Sequence, residues 1–227
     1  MKIGFVVTAH WSDEYRPNGN EFIKRFCTTL KEQCKHEFNL YVVDNGSEHE
    51  LTKFDFAEYI RIEDQSIIGI VGAWNIGLSH AYHDGCDIII NCNDDLWFND
   101  TINTFLNYVI SDHNKNVVYA ALTDGVLSGR QKAHKPGIGI TKIECNNAHN
   151  VINGFFFAFT KEHYEYFKFT EEQYFNPDNK YNGGERLWAG QEGQFMENSE
   201  RGLYGIVVNE CWLPHTKVRG WTKLRKK

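Results

Sequence analysis

The chain has 227 residues, of which 41% are hydrophobic and 24% charged, values that exclude a disordered polypeptide and suit one well-buried α/β domain. The formal net charge of −6 argues against a nucleic-acid partner, because the one basic run of the sequence is confined to residues 217–227. Apolar runs are too short for a signal peptide or a transmembrane segment, so we expect a cytoplasmic or membrane-peripheral protein.

The first half of the chain predicts strands that alternate with helices. Residues 2–8 and 39–43 are continuous apolar runs, the pattern of strands that are buried on both faces. Between them, apolar side chains recur every fourth position from Phe22 to Cys34, which predicts one buried helical face. Further strands are predicted at 59–62, 87–91 and 117–122, and further helices at 73–83 and after Asp100, which we expect to cap its helix. This alternation predicts a mostly parallel sheet that binds ligands at the carboxyl ends of its strands.

The second half is less regular. Residues 124–150 are rich in glycine and polar side chains and predict a long loop, and residues 174–190 predict another. We expect strands at 151–160 and 203–208 and helices at 161–167 and 191–201, the last of these ending before Gly202.

The six cysteines are scattered through the sequence without a C-x-x-C pair. This spacing fits neither a structural zinc site nor a dense disulfide framework. We therefore expect reduced and mostly buried thiols.

Two adjacent carboxylates follow the strand predicted at 87–91, in the sequence Asn93, Asp94, Asp95. Neighbouring carboxylates repel each other unless a cation is close, and Mg²⁺ is commonly held by one or two carboxylates together with substrate phosphates. These residues therefore suggest a divalent-metal site at the sheet edge. The alternative is that both carboxylates only favour the start of the helix after Asp100.

The order of these elements, over most of the chain, resembles glycosyltransferase family 2 of the GT-A fold. Residues 42–47 read V-V-D-N-G-S and are similar to the family's V-V-D-x-G-S element. The resemblance implies that Asp44 contacts the nucleotide base and that Thr8 lines the same pocket. It also implies one Rossmann-like GT-A domain over residues 1–227, with a nucleotide-sugar-binding half (1–123) and an acceptor-binding half with a C-terminal lid (124–227).

Two further segments carry the resemblance. Residues 72–78, G-A-W-N-I-G-L, are similar to the family's A-R-N-x-G segment, which places Asn75 below the nucleotide. Trp74 stands where the family usually has an arginine, so one phosphate or base contact has no assigned residue. Residues 93–95 resemble the D-x-D motif in an N-x-D form. The resemblance implies Mn²⁺ or Mg²⁺ bound by Asp95, with Asp94 nearer the ribose, or the same motif shifted by one residue with Asp94 as the ligand.

The resemblance also implies residues for catalysis and for closure over the donor. Residues 190–193, G-Q-E-G, are similar to the family's G-x-E-D stretch, which makes Glu192 the candidate general base, with Glu185 in reserve. The alternative for either glutamate is a solvated charge at a helix end. Trp188, in the adjacent loop, is a candidate for stacking on an acceptor sugar.

His215 follows the last predicted strand, where many GT-A enzymes have a histidine as a further metal ligand. Beyond it, Lys217, Arg219 and Lys223 could close over the diphosphate together with Trp221. The alternative is a disordered basic terminus.

Taken together, the resemblance implies a metal-dependent, inverting transfer of a sugar from a nucleotide-diphosphate donor to a hydroxyl group of a glycan or glycoprotein. UDP is the expected carrier because it is frequent in the family. One rival is a sugar-phosphate nucleotidyltransferase, but that class needs a glycine-rich phosphate loop where this chain has A-H-W-S at residues 9–12. The other rival is an inactive nucleotide-sugar-binding or glycan-binding module of the same fold.

The sequence also suggests a source and a context. Its composition, rich in Asn, Lys and Phe, resembles that of glycosyltransferases from large DNA viruses, which would place the protein in the cytoplasm of a host cell. The short length is compatible with a piece of a larger multidomain protein.

Overall fold

One eight-stranded sheet organises the chain in the computed structural model, which describes residues 1–63, 65–124, 129–147, 149–178 and 191–216. The side chains of residues 65–68, 191 and 192 are not described. The strands are β1 (Ile3–Ala9), β2 (Phe38–Asn45), β3 (Ala57–Ile62), β4 (Ile88–Asn93), β5 (Val117–Leu122), β6 (Ile140–Ile143), β7 (Phe156–Thr160) and β8 (Tyr204–Trp212). The helices are α1 (Gly19–Gln33), α2 (Gln65–His83), α3 (Thr101–Asp112), α4 (Lys161–Phe167) and α5 (Gln191–Ser199).

The sheet is mostly parallel, in the order β3-β2-β1-β4-β7-β5-β8-β6. β1 pairs in parallel with β2 on one side and with β4 on the other, and β3 continues the parallel run from β2. β7 is antiparallel to both of its neighbours, and β6 is antiparallel to β8. This arrangement confirms the predicted α/β fold of the GT-A type.

Helices cover both faces of the sheet. α1 and α3 pack on one face through side chains such as Phe26 and Phe105, and α2, α4 and α5 pack on the other through side chains such as Leu78, Tyr164 and Phe195. The central strands are therefore buried on both sides, which explains why β1, β4 and β5 appear as continuous apolar runs instead of alternating ones.

The structure corrects several predicted boundaries. β6 lies inside the segment that was predicted as one long loop, and its first three residues are partly or fully exposed, so it lacks the apolar signal of the inner strands. β7 begins at Phe156, not at residue 151. α2 begins earlier than predicted, at Gln65, and contains a break at Gly69, whose φ of 55° lies in the left-handed region that favours glycine.

The predicted cap of α3 is also different. Asp100 makes no side-chain capping hydrogen bond, whereas Asn99 Oδ1 accepts hydrogen bonds from the backbone N–H of Thr101 at 3.0 Å and from its hydroxyl group at 2.5 Å. Asn99 thus satisfies a backbone donor in the first turn of this helix.

All six cysteines are free and all except Cys34 are buried, in agreement with the sequence analysis. Burial raises the pKa of the Cys27 thiol to about 12, so it stays protonated at neutral pH. In the part of the chain that the structure describes, no helix is both long and apolar enough to cross a bilayer.

The packing of α4 generates a prediction about acid stability. His163 is fully buried, stacks on Phe159, and has its Nε2 atom 2.7 Å from the Tyr174 hydroxyl oxygen. Burial lowers the pKa of His163 from 6.5 to about 3. Since the folded protein resists protonating a group that the unfolded chain protonates readily, the free energy of unfolding should fall as the pH drops below about 6.5.

We expect His163→Gln to flatten this acid dependence by about 2 kcal/mol between pH 6.5 and pH 4.5, at about 1.4 kcal/mol per pH unit. Urea unfolding at the two pH values measures the effect, with His134→Gln, at an exposed position, as the matched control. An unchanged acid dependence in His163→Gln would contradict the assignment.

Candidate active site

The carboxyl ends of β1, β2 and β4 meet at one edge of the sheet. Thr8 is in register with Asn93 of β4, and Ala9 is in register with Asp44 of β2. Parallel pairing therefore brings Thr8, Asp44 and the turn at residues 93–95 to the same edge, although they are far apart in the sequence. This edge is where open α/β sheets bind their ligands.

Asp44 is held by a salt bridge. Its Oδ2 atom accepts a hydrogen bond from Arg61 Nη1 at 2.5 Å, and its Oδ1 atom accepts one from the Ser47 backbone N–H at 3.1 Å. Arg61 also donates a hydrogen bond to the Ser47 carbonyl oxygen at 2.8 Å. Its side chain is 42% exposed, so its charge stays partly hydrated. The pair lines a cavity of about 350 Å³ that also contacts Leu51 and Tyr59. An acceptor and a donor thus stand side by side at the mouth of a pocket.

Buried polar atoms without protein partners lie at this edge of the sheet. Within the described part of the chain, the Thr8 hydroxyl and both polar atoms of the Asn45 side chain are buried and make no hydrogen bond. Leaving such atoms unsatisfied costs free energy, and native proteins usually satisfy them with protein groups, water or a ligand. These atoms therefore favour a polar ligand or ordered water at the edge.

Asp94 is fully buried and bound to Arg16. The Arg16 guanidinium contacts both carboxylate oxygens, with its Nε atom 3.1 Å from Asp94 Oδ2 and its Nη2 atom on Oδ1. Burial raises the pKa of Asp94 to about 6, and the positive charge of Arg16 opposes that shift. The carboxylate is thus tied into the protein and does not face solvent.

Asp95 faces His215. The imidazole Nε2 atom lies 2.9 Å from Asp95 Oδ1, and its ring stacks on Phe155. Backbone hydrogen bonds join the two segments that carry these side chains. The Thr216 N–H donates to the Asp95 carbonyl oxygen at 3.0 Å, and the Trp97 N–H donates to the Pro214 carbonyl oxygen at 3.2 Å. The turn after β4 and the segment after β8 are therefore joined by main-chain hydrogen bonds that position the two side chains.

The Asp95–His215 pair fits a divalent cation. Oδ1 and Nε2 are at a hydrogen-bond distance of 2.9 Å, which is also close to the separation of about 3.0 Å between adjacent ligand atoms that lie about 2.1 Å from an octahedrally coordinated ion. The donor set also suits Mn²⁺ or Mg²⁺, although imidazole favours Mn²⁺ over Mg²⁺. These two residues could hold such a cation.

A second group of candidate ligands lies nearby at the surface. Ligand atoms of Asp13, Glu48 and His49 all lie within 4.8 Å of one another. Two of these residues are exposed, and His49 Nε2 pairs with Asp13 Oδ1 at 2.8 Å. Exposed acidic groups commonly cluster without an ion, so we favour the buried Asp95–His215 pair.

Asn75 acts as a latch between α2 and the second half of the chain. Its Nδ2 atom donates to the Phe175 carbonyl oxygen at 2.9 Å, and its Oδ1 atom accepts from the Phe175 backbone N–H at 2.8 Å. Trp74, beside it, packs against Phe157 and Phe175 in the core. Both polar atoms of the Asn75 amide are thus used within the protein, and its predicted contact with a nucleotide stays a prediction.

Several predicted residues lie beyond what the structure describes. Glu192 is in the first turn of α5, but its side chain is not described. The other predicted positions outside the described residues are Glu185, Trp188, Lys217, Arg219, Trp221 and Lys223. Their assigned roles stay predictions.

The sequence analysis missed Arg16 and Arg61. Neither belongs to a recognisable motif: Arg16 lies in the loop before α1, and Arg61 lies on a strand whose residues are mostly partly exposed. Arg61 is found only from the register of β3 against β2, which places it beside Asp44. Arg16 is found only once the loop is folded against the turn after β4.

Comparisons with known proteins agree with this architecture. A family model described as "Glycosyl transferase family 2" matches residues 17–173. A search of curated proteins gave no significant match. Among solved structures, residues 1–349 of S. aureus TarS superpose with a TM-score of 0.59 at 14% identity, covering 99% of this chain and 63% of that one.

Two ligand-bound structures are similar in the same way. S. aureus TarS in complex with UDP-GlcNAc gives a TM-score of 0.64 at 14% identity, covering 98% of this chain and 61% of that one. The mannosyltransferase PcManGT from Pyrobaculum calidifontis, in complex with GDP-Man and Mn²⁺, gives 0.60 at 13% identity, covering 98% and 59%. At these identities the likeness shows the fold, and this chain spans about three fifths of the length of each neighbour.

The latch at Asn75 gives a prediction about stability. Asn75→Ala removes the side-chain partner of two buried backbone groups of Phe175, so we expect a loss of about 2–3 kcal/mol in the free energy of unfolding. Urea titration measures it, and Asn146→Ala, where the amide is exposed, serves as the control. A loss below about 0.5 kcal/mol would show that water replaces the amide and that the latch is not structural.

Proposed function

The chain belongs to glycosyltransferase family 2, and we propose that it transfers a sugar from a nucleotide-diphosphate donor to a hydroxyl group of an acceptor. The observation that carries the proposal is the Asp95–His215 pair, which stands at the same sheet edge as the Asp44–Arg61 pair. One pair suits a cation that binds phosphate, and the other offers an acceptor beside a donor, as a nucleotide base requires. A nucleotide diphosphate carries both of these groups, a base at one end and phosphates at the other.

The spacing of the two pairs is compatible with one donor molecule. β2 and β4 flank β1, so their carboxyl ends lie about 10 Å apart, two strand spacings of about 4.8 Å. A donor bound along this edge would place its base near Asp44 and Arg61 and its diphosphate near Asp95 and His215. The unsatisfied Thr8 hydroxyl and Asn45 amide lie along the same edge and can supply hydrogen bonds to it.

When bound, the divalent cation would neutralise the diphosphate and so stabilise it as a leaving group. Asp95 and His215 would hold the cation, and the backbone bonds between their segments would keep the two ligand atoms in place. Arg61 would donate to an acceptor atom of the base while Asp44 accepts from a base N–H. We propose uracil as the base because it is frequent in the family.

The transfer would invert the anomeric carbon, with Glu192 as the general base. This role follows from the resemblance of residues 190–193 to the family's G-x-E-D stretch. The base must remove the proton of the acceptor hydroxyl on the side of the sugar opposite the departing diphosphate. Glu192 lies in residues 124–227, the half that the resemblance assigns to the acceptor. A glycan or glycoprotein is the proposed acceptor, and a large-DNA-virus source and a cytoplasmic location stay predictions.

The first experiment is calorimetric titration of the protein with UDP and with GDP, each in Mn²⁺ and in EDTA. We expect one nucleotide to bind in Mn²⁺ and to lose at least tenfold in affinity in EDTA. Asp95→Asn should abolish the metal-dependent part of this binding, because it removes the charged ligand of the cation. Asp100→Asn, an exposed aspartate five residues further along, is the control.

Absence of nucleotide binding under every condition would sink the transferase proposal and leave the inactive glycan-binding module. Binding that is equally strong in EDTA would remove the cation from the proposal but keep the donor site.

A second experiment separates binding from chemistry. Glu192→Gln should bind the nucleotide within about threefold of the unchanged protein, and its hydrolysis or transfer of the donor sugar should fall at least 100-fold, as for loss of a general base. Release of the nucleoside diphosphate measures the rate. Glu144→Gln, at an exposed position, is the control. A normal rate in Glu192→Gln would move the base to another residue.

A further inference from the structure

Arg16 is a buried cation beside Asp94 and Asp95 of the candidate metal site. Its side chain is 1% exposed, and its guanidinium contacts both oxygens of Asp94. The Nη2 atom also lies 3.6 Å from Asp95 Oδ2. A two-pronged contact with one carboxylate and a longer contact with the next places the guanidinium between the two acidic residues but closer to Asp94.

The loop that carries Arg16 is tightly fixed. Arg16 N–H donates to the Ser12 carbonyl oxygen at 3.1 Å, and Gly19 N–H donates to the Arg16 carbonyl oxygen at 3.0 Å. A Cβ atom at Gly19 would lie 2.0 Å from the His10 carbonyl oxygen, so this closure requires glycine. The guanidinium also lies over the Phe22 ring, 5.1 Å from its centroid. Arg16 is therefore presented to Asp94 by a rigid loop.

The ion pair removes Asp94 from the set of possible metal ligands. Each Asp94 oxygen keeps a further lone pair, but the carboxylate has no solvent exposure, so a divalent cation could reach it only by displacing the guanidinium or the surrounding protein atoms. Breaking a buried ion pair leaves an unpaired charge and is strongly unfavourable. Asp95, by contrast, makes one hydrogen bond of 2.9 Å with the His215 imidazole and a longer contact of 3.6 Å with Arg16, so its oxygens are less fully occupied than those of Asp94.

We propose that Arg16 is a positioning residue that withholds Asp94, so that the metal site of this chain has one carboxylate and one imidazole. This inference rests on the proposed function and deepens it. A site with so few protein ligands binds the cation weakly by itself, and the diphosphate of the donor has to supply further oxygens. Cation and donor therefore bind cooperatively, and Arg16 sets the strength of that coupling.

The local charges agree with this assignment. Asp94, Asp95, Arg16 and the nearby Arg25 together carry no net charge, and a divalent cation changes that to two net positive charges, which attract a diphosphate. With Asp94 free and Arg16 absent, the remaining group would carry one net negative charge, and the cation would change that to one net positive charge. Arg16 therefore favours binding of the cation together with an anionic donor over binding of the cation alone.

The test measures Mn²⁺ binding, with and without UDP or GDP, from the electron paramagnetic resonance signal of the free ion. Asp94→Asn should weaken Mn²⁺ binding, because it leaves the Arg16 charge unpaired 3.6 Å from Asp95 Oδ2. Arg16→Met should bind Mn²⁺ at least tenfold more tightly in the absence of nucleotide, because it releases a second carboxylate. The double variant Arg16→Gln/Asp94→Asn should return to within threefold of the unchanged protein.

The outcomes separate this inference from the proposed function. A tenfold loss of Mn²⁺ affinity in the double variant, which removes Asp94 and its counter-charge together, would make Asp94 a ligand and overturn the inference alone. Failure of the unchanged protein to bind Mn²⁺ with or without nucleotide would overturn the metal-dependent function itself. Thermal unfolding checks each variant, and if either single variant does not fold, the double variant decides, since it replaces the ion pair by a neutral hydrogen-bonded pair.

Discussion

The parallel pairing of β1 with both β2 and β4 is the constraint on which the rest of the structure depends. A parallel ladder places the carboxyl ends of neighbouring strands at one edge, and the register here brings Thr8 beside Asn93 and Ala9 beside Asp44. The helices that connect these strands occupy the two faces, so the edge is the part of the sheet left for a ligand. For that reason the polar side chains at the ends of the strands do not have to pack in the hydrophobic core.

The cost of charge at this edge shapes its surroundings. Asp94 and Asp95 are both almost fully buried, and a buried carboxylate is stable only when paired or bound to a cation. Two different solutions stand side by side: Asp94 is neutralised within the protein by Arg16, and Asp95 pairs with His215 and lies 3.6 Å from the Arg16 guanidinium. The two neighbouring carboxylates are thus unequal, because Asp94 has a two-pronged contact with a guanidinium and Asp95 has a single short contact with an imidazole.

The sequence predicted what depends on local pattern and missed what depends on contacts between distant segments. Strands such as β5 were predicted at their observed bounds, because burial on both faces leaves an unbroken apolar run. β6 was missed because an edge strand lacks that run. The nearness of Asp95 to His215 followed from a resemblance between whole sequences. The partners of Asp44 and Asp94 could not be predicted, because each is an arginine brought in by the register of a strand or by the closure of a loop.

Trp74 shows why those arginines matter. In the family segment that residues 72–78 resemble, an arginine is usual at this position, but here the indole packs against Phe157 and Phe175 and is 3% exposed. An arginine buried among those rings would be an unpaired charge in an apolar environment, so the packing of this chain leaves no place for one. Positive charge is supplied at the sheet edge by other elements, by Arg61 from β3, by Arg16 from the loop before α1 and by Arg25 from α1. A chemical requirement of the edge can therefore be met by residues from other elements once the sheet has fixed where that edge lies.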